Sequence, residues 1–278
     1  MTGKPIVAAT DGSEDSLRAV EWAAAEALLH AAPLRIVSAV SLLPWMTGLQ
    51  VGPDRDYAAD LIRSERDRAL DIAASRAAST APGLVIATDP LADSPARAVT
   101  ESGSGALMLV VGSRGIGAFT AMMLGSVSRY VTAHASCPVV VVRDPTPATY
   151  GLVGIGVGDP DDCAGSLAFA FEEARLRKAS LAAVHAWSGP GLQAGAAEAA
   201  RTLAGLLGQW REKYPGVRVS QEVMPGHPGR ALVGLSARAD LTVMGRRAGH
   251  PGPQGPGTVR HAVLEHAHGP VVIVPSGR

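Results

Sequence analysis

The sequence predicts an α/β protein built as two tandem copies of a doubly wound, five-stranded parallel sheet of the Rossmann-like kind. Three observations predict it: the chain repeats itself, short apolar runs alternate with helical patterns, and 278 residues suit two domains at about 150 residues each. The repeat can be read directly. His134-Ala-Ser-Cys-Pro-Val-Val-Val-Val142 matches His266-Ala-His-Gly-Pro-Val-Val-Ile-Val274 at an offset of 132. Ser94-Pro-Ala-Arg-Ala98 matches His227-Pro-Gly-Arg-Ala231, and Leu109-Val-Val-Gly112 matches Thr242-Val-Met-Gly245, both at 133. At the front, Ile6-Val-Ala-Ala-Thr-Asp11 faces Leu152 onward, and Trp22 faces Phe169 at 147. The falling offset indicates a shorter loop in the second copy. The proline-containing stretch from Asp144 to Thr149 marks the boundary, giving domains 1–147 and 148–278.

In the first copy, the strands are expected near 5–10, 34–40, 84–88, 107–111 and 138–142. Each is short and apolar on both faces, as a buried parallel strand is. The first runs into Asp11-Gly-Ser13 and then a helical pattern near 14–31. After the second strand comes a helical pattern near 55–81, and the charges from Asp54 to Asp71 read as its solvated face. Ser94 as N-cap and Pro95 at the first helical position open a helix near 95–103, and Pro228 recurs at that place in the second copy. A final helical pattern occupies 120–135.

Composition excludes several function classes. Lys+Arg and Asp+Glu are 25 each, so the chain has no net charge and is not a strongly basic nucleic-acid binder. Aromatic residues are 4%, too few for base-stacking platforms. No apolar run reaches the roughly 18 residues that span a bilayer. The N-terminus lacks a signal-peptide apolar core and cleavage site, which points to the cytoplasm. Cys137 and Cys163 are far apart and match no zinc spacing, so they are expected as buried or half-buried thiols of a reducing compartment. No lysine stands in a glycine loop, which removes a P-loop site. Gly154, Gly156 and Gly158 miss the dinucleotide spacing and have no following acid at a second strand's end. His261, His266 and His268 do not stack on one helix face, His185 reads as a satisfied strand histidine, and no Gly-x-Ser-x-Gly elbow offers a nucleophile.

In a doubly wound sheet, ligands sit outside the carboxyl ends of the strands. Two segments of the first copy reach that edge: Ala9-Thr-Asp-Gly-Ser13, and Gly112-Ser-Arg-Gly-Ile-Gly-Ala-Phe-Thr-Ala-Met-Met-Leu-Gly-Ser-Val-Ser128. Glycines allow close approach of the backbone to a phosphate. Gly125-Ser126 lies near the start of the last helix, whose N–H groups and dipole favour an anion, and Ser126 and Ser128 bring hydroxyls. Asp11 is placed to accept from a ribose hydroxyl or to hold a metal with the phosphates.

The spacing Gly112-x2-Gly115-x9-Gly125-Ser126 resembles the nucleotide-binding signature of the universal stress protein family. Asp11-Gly-Ser and Cys137-Pro-Val-Val-Val-Val142 resemble it too, and the likeness covers nearly the whole chain, twice. It implies a tandem universal stress protein that binds ATP, with or without Mg2+, and acts as a stress-response regulator with little or no hydrolysis. By position, Thr10 and Asp11 would contact the ribose side, Ala39 would flank the adenine, and Gly112, Gly115, Gly125, Ser126, Val127 and Ser128 would wrap phosphates and ribose, with Arg114 adding a phosphate contact. The two domains would pair within the chain, or two chains would form a homodimer, without nucleic acid or membrane. The competing classes are a slow nucleotide hydrolase or nucleotidyl-transferring enzyme on the same framework, and a nucleotide-free interaction module.

The second copy departs from the pattern. Gly158 faces Asp11, with Asp159 one place late; Ala248 replaces the second glycine; eight residues separate it from Gly257-Thr258. Pro251, Pro253 and Pro256 each remove a backbone donor, against which Arg246 and Arg247 offer electrostatic compensation. Its nucleotide motif is therefore expected to be degenerate.

Overall fold

The computed structural model describes residues 3–39, 55–91, 94–115, 124–143, 149–158, 162–187, 192–246 and 258–276. The linker at 144–148, the loop at 247–257 with Ala248 and its prolines, and Asp159 lie outside these residues; the helix expected over 120–135 starts only at Ser126, behind Gly125 as its N-cap. The chain separates into two compact units, Met1–Val142 and Arg143–Arg278.

The first unit runs β1 (Ile6–Ala9), α1 (Glu14–Leu29), β2 (Leu34–Ala39), α2 (Arg55–Thr80), β3 (Ile86–Leu91), α3 (Pro95–Ser102), β4 (Met108–Gly112), α4 (Ser126–His134) and β5 (Val139–Val142). All its strand pairs are parallel, in the order β3-β2-β1-β4-β5. Register is set by the two-faced apolar strands: Ile6 lies between Leu34 and Met108, and all three are fully buried. Helix α1 packs on α2, and α3 on α4, which gives the two covering layers of a doubly wound sheet.

The second unit repeats the order with β6 (Leu152–Gly156), α5 (Ala164–Arg177), β7 (Ser180–Trp187), α6 (Leu192–Lys213), β8 (Val219–Pro225), α7 (Pro228–Ser236), β9 (Leu241–Arg246), α8 (Thr258–His266) and β10 (Val271–Pro275). Its strands are also parallel, in the order β8-β7-β6-β9-β10. The α/β tandem architecture read from the sequence is thus the one found.

The third strand differs from expectation: it spans Ile86–Leu91 rather than 84–88. Its outer side pairs with no other strand of its unit, so Asp89 and Pro90, which an interior strand would not tolerate, are accommodated beside β2. Gly154 and Gly156 also have a packing explanation. A side chain at either would collide with Leu235 (2.6 Å) or Leu232 (2.8 Å) of α7, so these glycines admit a helix and serve no phosphate. Both cysteines are buried thiols, and His185 is satisfied through Nδ1 on Val157 O at 2.9 Å. His261 pairs with Glu265, while His268 lies past the end of α8. Among the described residues no helix is long and apolar enough to cross a membrane.

Candidate functional site

The chain crosses from one side of β1 to the other between β3 and β4, so the carboxyl ends of β1 and β4 flank the switch point. Beyond β1, the loop is tied by hydroxyls. Thr10 N donates to Val37 O at 2.9 Å. Ser16 Oγ donates to Ser13 O (2.8 Å), so the Thr10 hydroxyl is the donor in the buried Thr10–Ser16 pair at 3.0 Å. Thr10 Oγ1 in turn accepts from Gly12 N (3.1 Å). Asp11 Oδ1 accepts from Ser13 N (3.0 Å) and Ser13 Oγ (2.6 Å), and Ser13 caps α1 by accepting from Ser16 N. Gly12 has φ +84 and lies so close to Ala69 of α2 that a Cβ would sit 3.2 Å from the alanine methyl.

Beyond β4, the backbone is packed directly on α1. A Cβ on Gly112 would stand 2.9 Å from both C and O of Asp15, so only glycine allows the strand end to touch the helix start. Ser113 N donates to Val142 O (3.0 Å), and Ser113 O accepts from Gly125 N (2.9 Å), closing the base of the glycine loop. Gly115 lies against the Asp11 carboxylate: a side chain there would overlap Oδ2. The structure therefore brings Thr10, Asp11, Gly112, Arg114, Gly115, Gly125 and Ser128 into one connected network. Ser126 and Val127 follow in the first turn of α4. Ala39 is buried at the end of β2, one strand over, beside Ser38, whose buried hydroxyl has no hydrogen-bond partner.

The two helix starts at this edge differ in charge. Helix α1 is capped by Ser13 and carries Glu14 and Asp15 in its first turn. Helix α4 begins at Gly125 with no side-chain cap bond and no acid in its first turn. The positive end of α1 is thus neutralised by its own residues, whereas that of α4 faces the glycine loop without such compensation.

Two side chains behave differently from the sequence expectation. Ser128 is buried and its proton goes to Gly112 O at 2.6 Å, so it ties helix to strand, while Ser126 is exposed. Arg114, expected to add a phosphate contact, is paired within the protein: its Nε donates to Asp15 Oδ2 at 2.7 Å, and Asp15 also accepts from Ser113 Oγ (3.3 Å) and pairs with Arg18. Ser13, Asp15, Ser16, Arg18 and Ser113 are site-shaping residues absent from the sequence-derived set. The cap pattern Ser13-Glu-Asp was the available signal for the first two; the contacts of the others are tertiary.

Among the described residues, the second unit does not repeat this hydroxyl network. Val157 N donates to Val184 O at 2.9 Å as Thr10 N does to Val37 O, and the buried positions of α5 follow those of α1 at an offset of 147. At that offset Thr10, Asp11, Ser16 and Arg18 become Val157, Gly158, Cys163 and Gly165. The hydroxyl pair is replaced by two buried apolar side chains, and Gly158 stands where Asp11 carries its carboxylate. A Cβ on Gly245 would meet Ser166 Oγ at 3.4 Å, a looser approach than the 2.9 Å at Gly112. Burial pushes the Arg260 guanidinium below its ordinary value.

Comparison with known proteins gives the family of the chain. The model of the universal stress protein family matches residues 3–143 and again 149–275. Universal stress protein Rv2005c of Mycobacterium tuberculosis is 35% identical over 295 residues, covering 96% of each chain. A universal stress protein of Mycolicibacterium smegmatis is 32% identical, covering 97% of this chain and 96% of its own. A crystal structure of a universal stress protein from Archaeoglobus fulgidus superposes with a TM-score of 0.76 at 18% identity, over 100% of both chains, a likeness of fold. Two family matches in succession, each spanning one compact unit's worth of sheet and helices, establish that this chain belongs to the universal stress protein family as a tandem-domain member.

Proposed function

We propose that the chain is a cytoplasmic, ATP-binding stress-response regulator that holds nucleotide, with or without Mg2+, in its N-terminal domain (residues 1–147). The observation that carries this reading is the start of α4: a helix N-terminus with no side-chain cap bond, with Gly125 and Ser126 at its mouth, beside Ser113 and Arg114 of the glycine loop. Backbone donors and a helix dipole hold phosphates without a basic excess, which reconciles the reading with a chain of zero net charge. Asp11, rigidly held by Ser13, supplies the ribose or metal side. Hydrolysis is little or none: Asp11, the one acid in the set, already accepts two hydrogen bonds from Ser13 on Oδ1. The C-terminal domain (148–278) has a weaker site or none, consistent with Val157, Gly158 and Cys163 at its edge.

The test is to purify the protein gently, denature it and identify released nucleotide, then titrate ATP with Mg2+ while following thermal unfolding. At a hundredfold excess over Kd, linkage gives about 2.7 kcal/mol of stabilisation. One adenine nucleotide per chain is expected, lost in Gly125→Glu. No retained ligand and no thermal shift would leave the interaction-module reading; multiple turnover would make the protein an enzyme; two nucleotides per chain would restore the second site.

A further inference from the structure

We infer that Asp15 is a specificity-determining residue of the N-terminal site: its carboxylate is a built-in rival to nucleotide phosphates for Arg114, and so sets how steeply affinity rises with phosphate number. The inference rests on the nucleotide reading above.

Asp15 is held more tightly than a surface acid. Its side chain is 15% exposed and takes three donors: Arg18 on Oδ1, and Arg114 Nε at 2.7 Å and Ser113 Oγ at 3.3 Å on Oδ2. Its backbone is pressed on Gly112, which keeps the residue seated beside the loop. Arg114 is rooted beside the anion-favouring helix start, its Cα only 3.6 Å from where a Gly125 side chain would begin. A phosphate at α4 therefore falls within reach of this side chain, and the guanidinium must divide its planar set of donors between the phosphate and Asp15.

Arg18 makes that exchange feasible. When Arg114 turns to a ligand, Asp15 keeps a cation and a hydroxyl, so no half-buried carboxylate is stranded. The charge consequence is specific. Arg18 and Arg114 with Asp15 present a net +1 beside the phosphates, where the two arginines alone would present +2. Adenosine, which lacks phosphates, is insensitive to this balance; each added phosphate feels it more.

The experiment compares adenosine, AMP, ADP and ATP by calorimetric titration against wild type, Asp15→Asn, Arg114→Gln and the double variant, each first shown to be folded by its thermal transition. Removing a half-buried pair's anion is expected to raise ATP affinity about fivefold, the scale of about 1 kcal/mol. Adenosine affinity should stay unchanged, and the gain should vanish in the double variant. Equal changes for adenosine and ATP would assign Asp15 a purely structural role, and a gain that survives without Arg114 would sink the rivalry; either overturns the inference while leaving nucleotide binding intact. Failure of the folded wild type to bind any of the four would remove the nucleotide reading and this inference with it. Should Asp15→Asn not fold, Arg114→Gln alone decides: the inference requires a loss graded with phosphate number, and a uniform loss refutes it.

Discussion

The hydroxyl of Ser128 donates to the carbonyl of Gly112 at 2.6 Å, and both residues are buried. One hydrogen bond thereby fixes the helix start that faces the glycine loop to the strand that leads into it. Ser128→Ala leaves a buried carbonyl short of a partner, a change worth about 1–3 kcal/mol. Denaturant unfolding should show that loss without ligand present; an unchanged midpoint would mean that the carbonyl finds another donor.

Gly112 is the last residue of β4 and Gly245 the next to last of β9, and they tolerate side chains differently. A Cβ on Gly112 meets Asp15 backbone at 2.9 Å, which cannot give, whereas one on Gly245 meets the Ser166 hydroxyl at 3.4 Å. Gly112→Ala should therefore cost about 1–3 kcal/mol by overpacking, and Gly245→Ala less than about 1. Thermal unfolding of the two variants side by side checks the order; equal losses would contradict it.

The contact between Gly154 and Leu235 predicts a coupled pair. Gly154→Ala forces Leu235 aside, and Leu235→Ala opens a cavity at a cost of about 2–5 kcal/mol. In the double variant the new methyl occupies part of that cavity, so the losses should fall short of their sum by more than about 0.5 kcal/mol. Simple additivity in a double-mutant cycle would show that the backbones had moved apart instead.

Arg76 of α2 clasps Glu14 at the start of α1 through both oxygens (2.8 and 3.0 Å) and reaches Glu21 at 3.3 Å. The hydrogen bond from Arg76 is the main cause holding the Glu14 carboxyl below its ordinary value of 4.5. A carboxyl whose folded-state value is depressed contributes stability above its unfolded value, and that contribution is lost as pH falls through the folded one. Arg76→Gln should lower Tm at neutral pH by a small amount, as both groups are solvent-screened, and the gap to wild type should narrow as the pH is taken below 4.5. A gap that stays constant with pH would assign the effect to packing.

Much of the fold was legible because parallel strands buried on both faces are recognisable runs, as in Leu109-Val-Val and Val139-Val-Val-Val142, and Ser94-Pro95 announces a helix start. The edge strand was misplaced by its polar end: Thr88-Asp-Pro90 carries no apolar signal when only one neighbour has to be satisfied. At the site, glycine spacing pointed to Gly112, Gly115 and Gly125, since backbone approach leaves its mark as missing side chains. The partners of Arg114 and Ser128 left no mark, because Asp15 lies 99 residues from Arg114 and Gly112 lies 16 from Ser128.

By itself the sequence determined that this chain is one α/β fold twice over, with a glycine-bearing loop at the carboxyl edge of the first copy and a broken version in the second. Those are properties of local pattern: strand hydrophobicity, helix caps, and positions where no side chain is tolerated. Only the tertiary structure decided which charges meet there. It gave Asp15 to Arg114 and Arg18, spent the Ser128 proton on Gly112, and left the α4 start, not the α1 start, as the uncompensated positive pole. The physical reason is that hydrogen bonds and ion pairs depend on distances in space, which the strand crossover sets and residue order does not reveal.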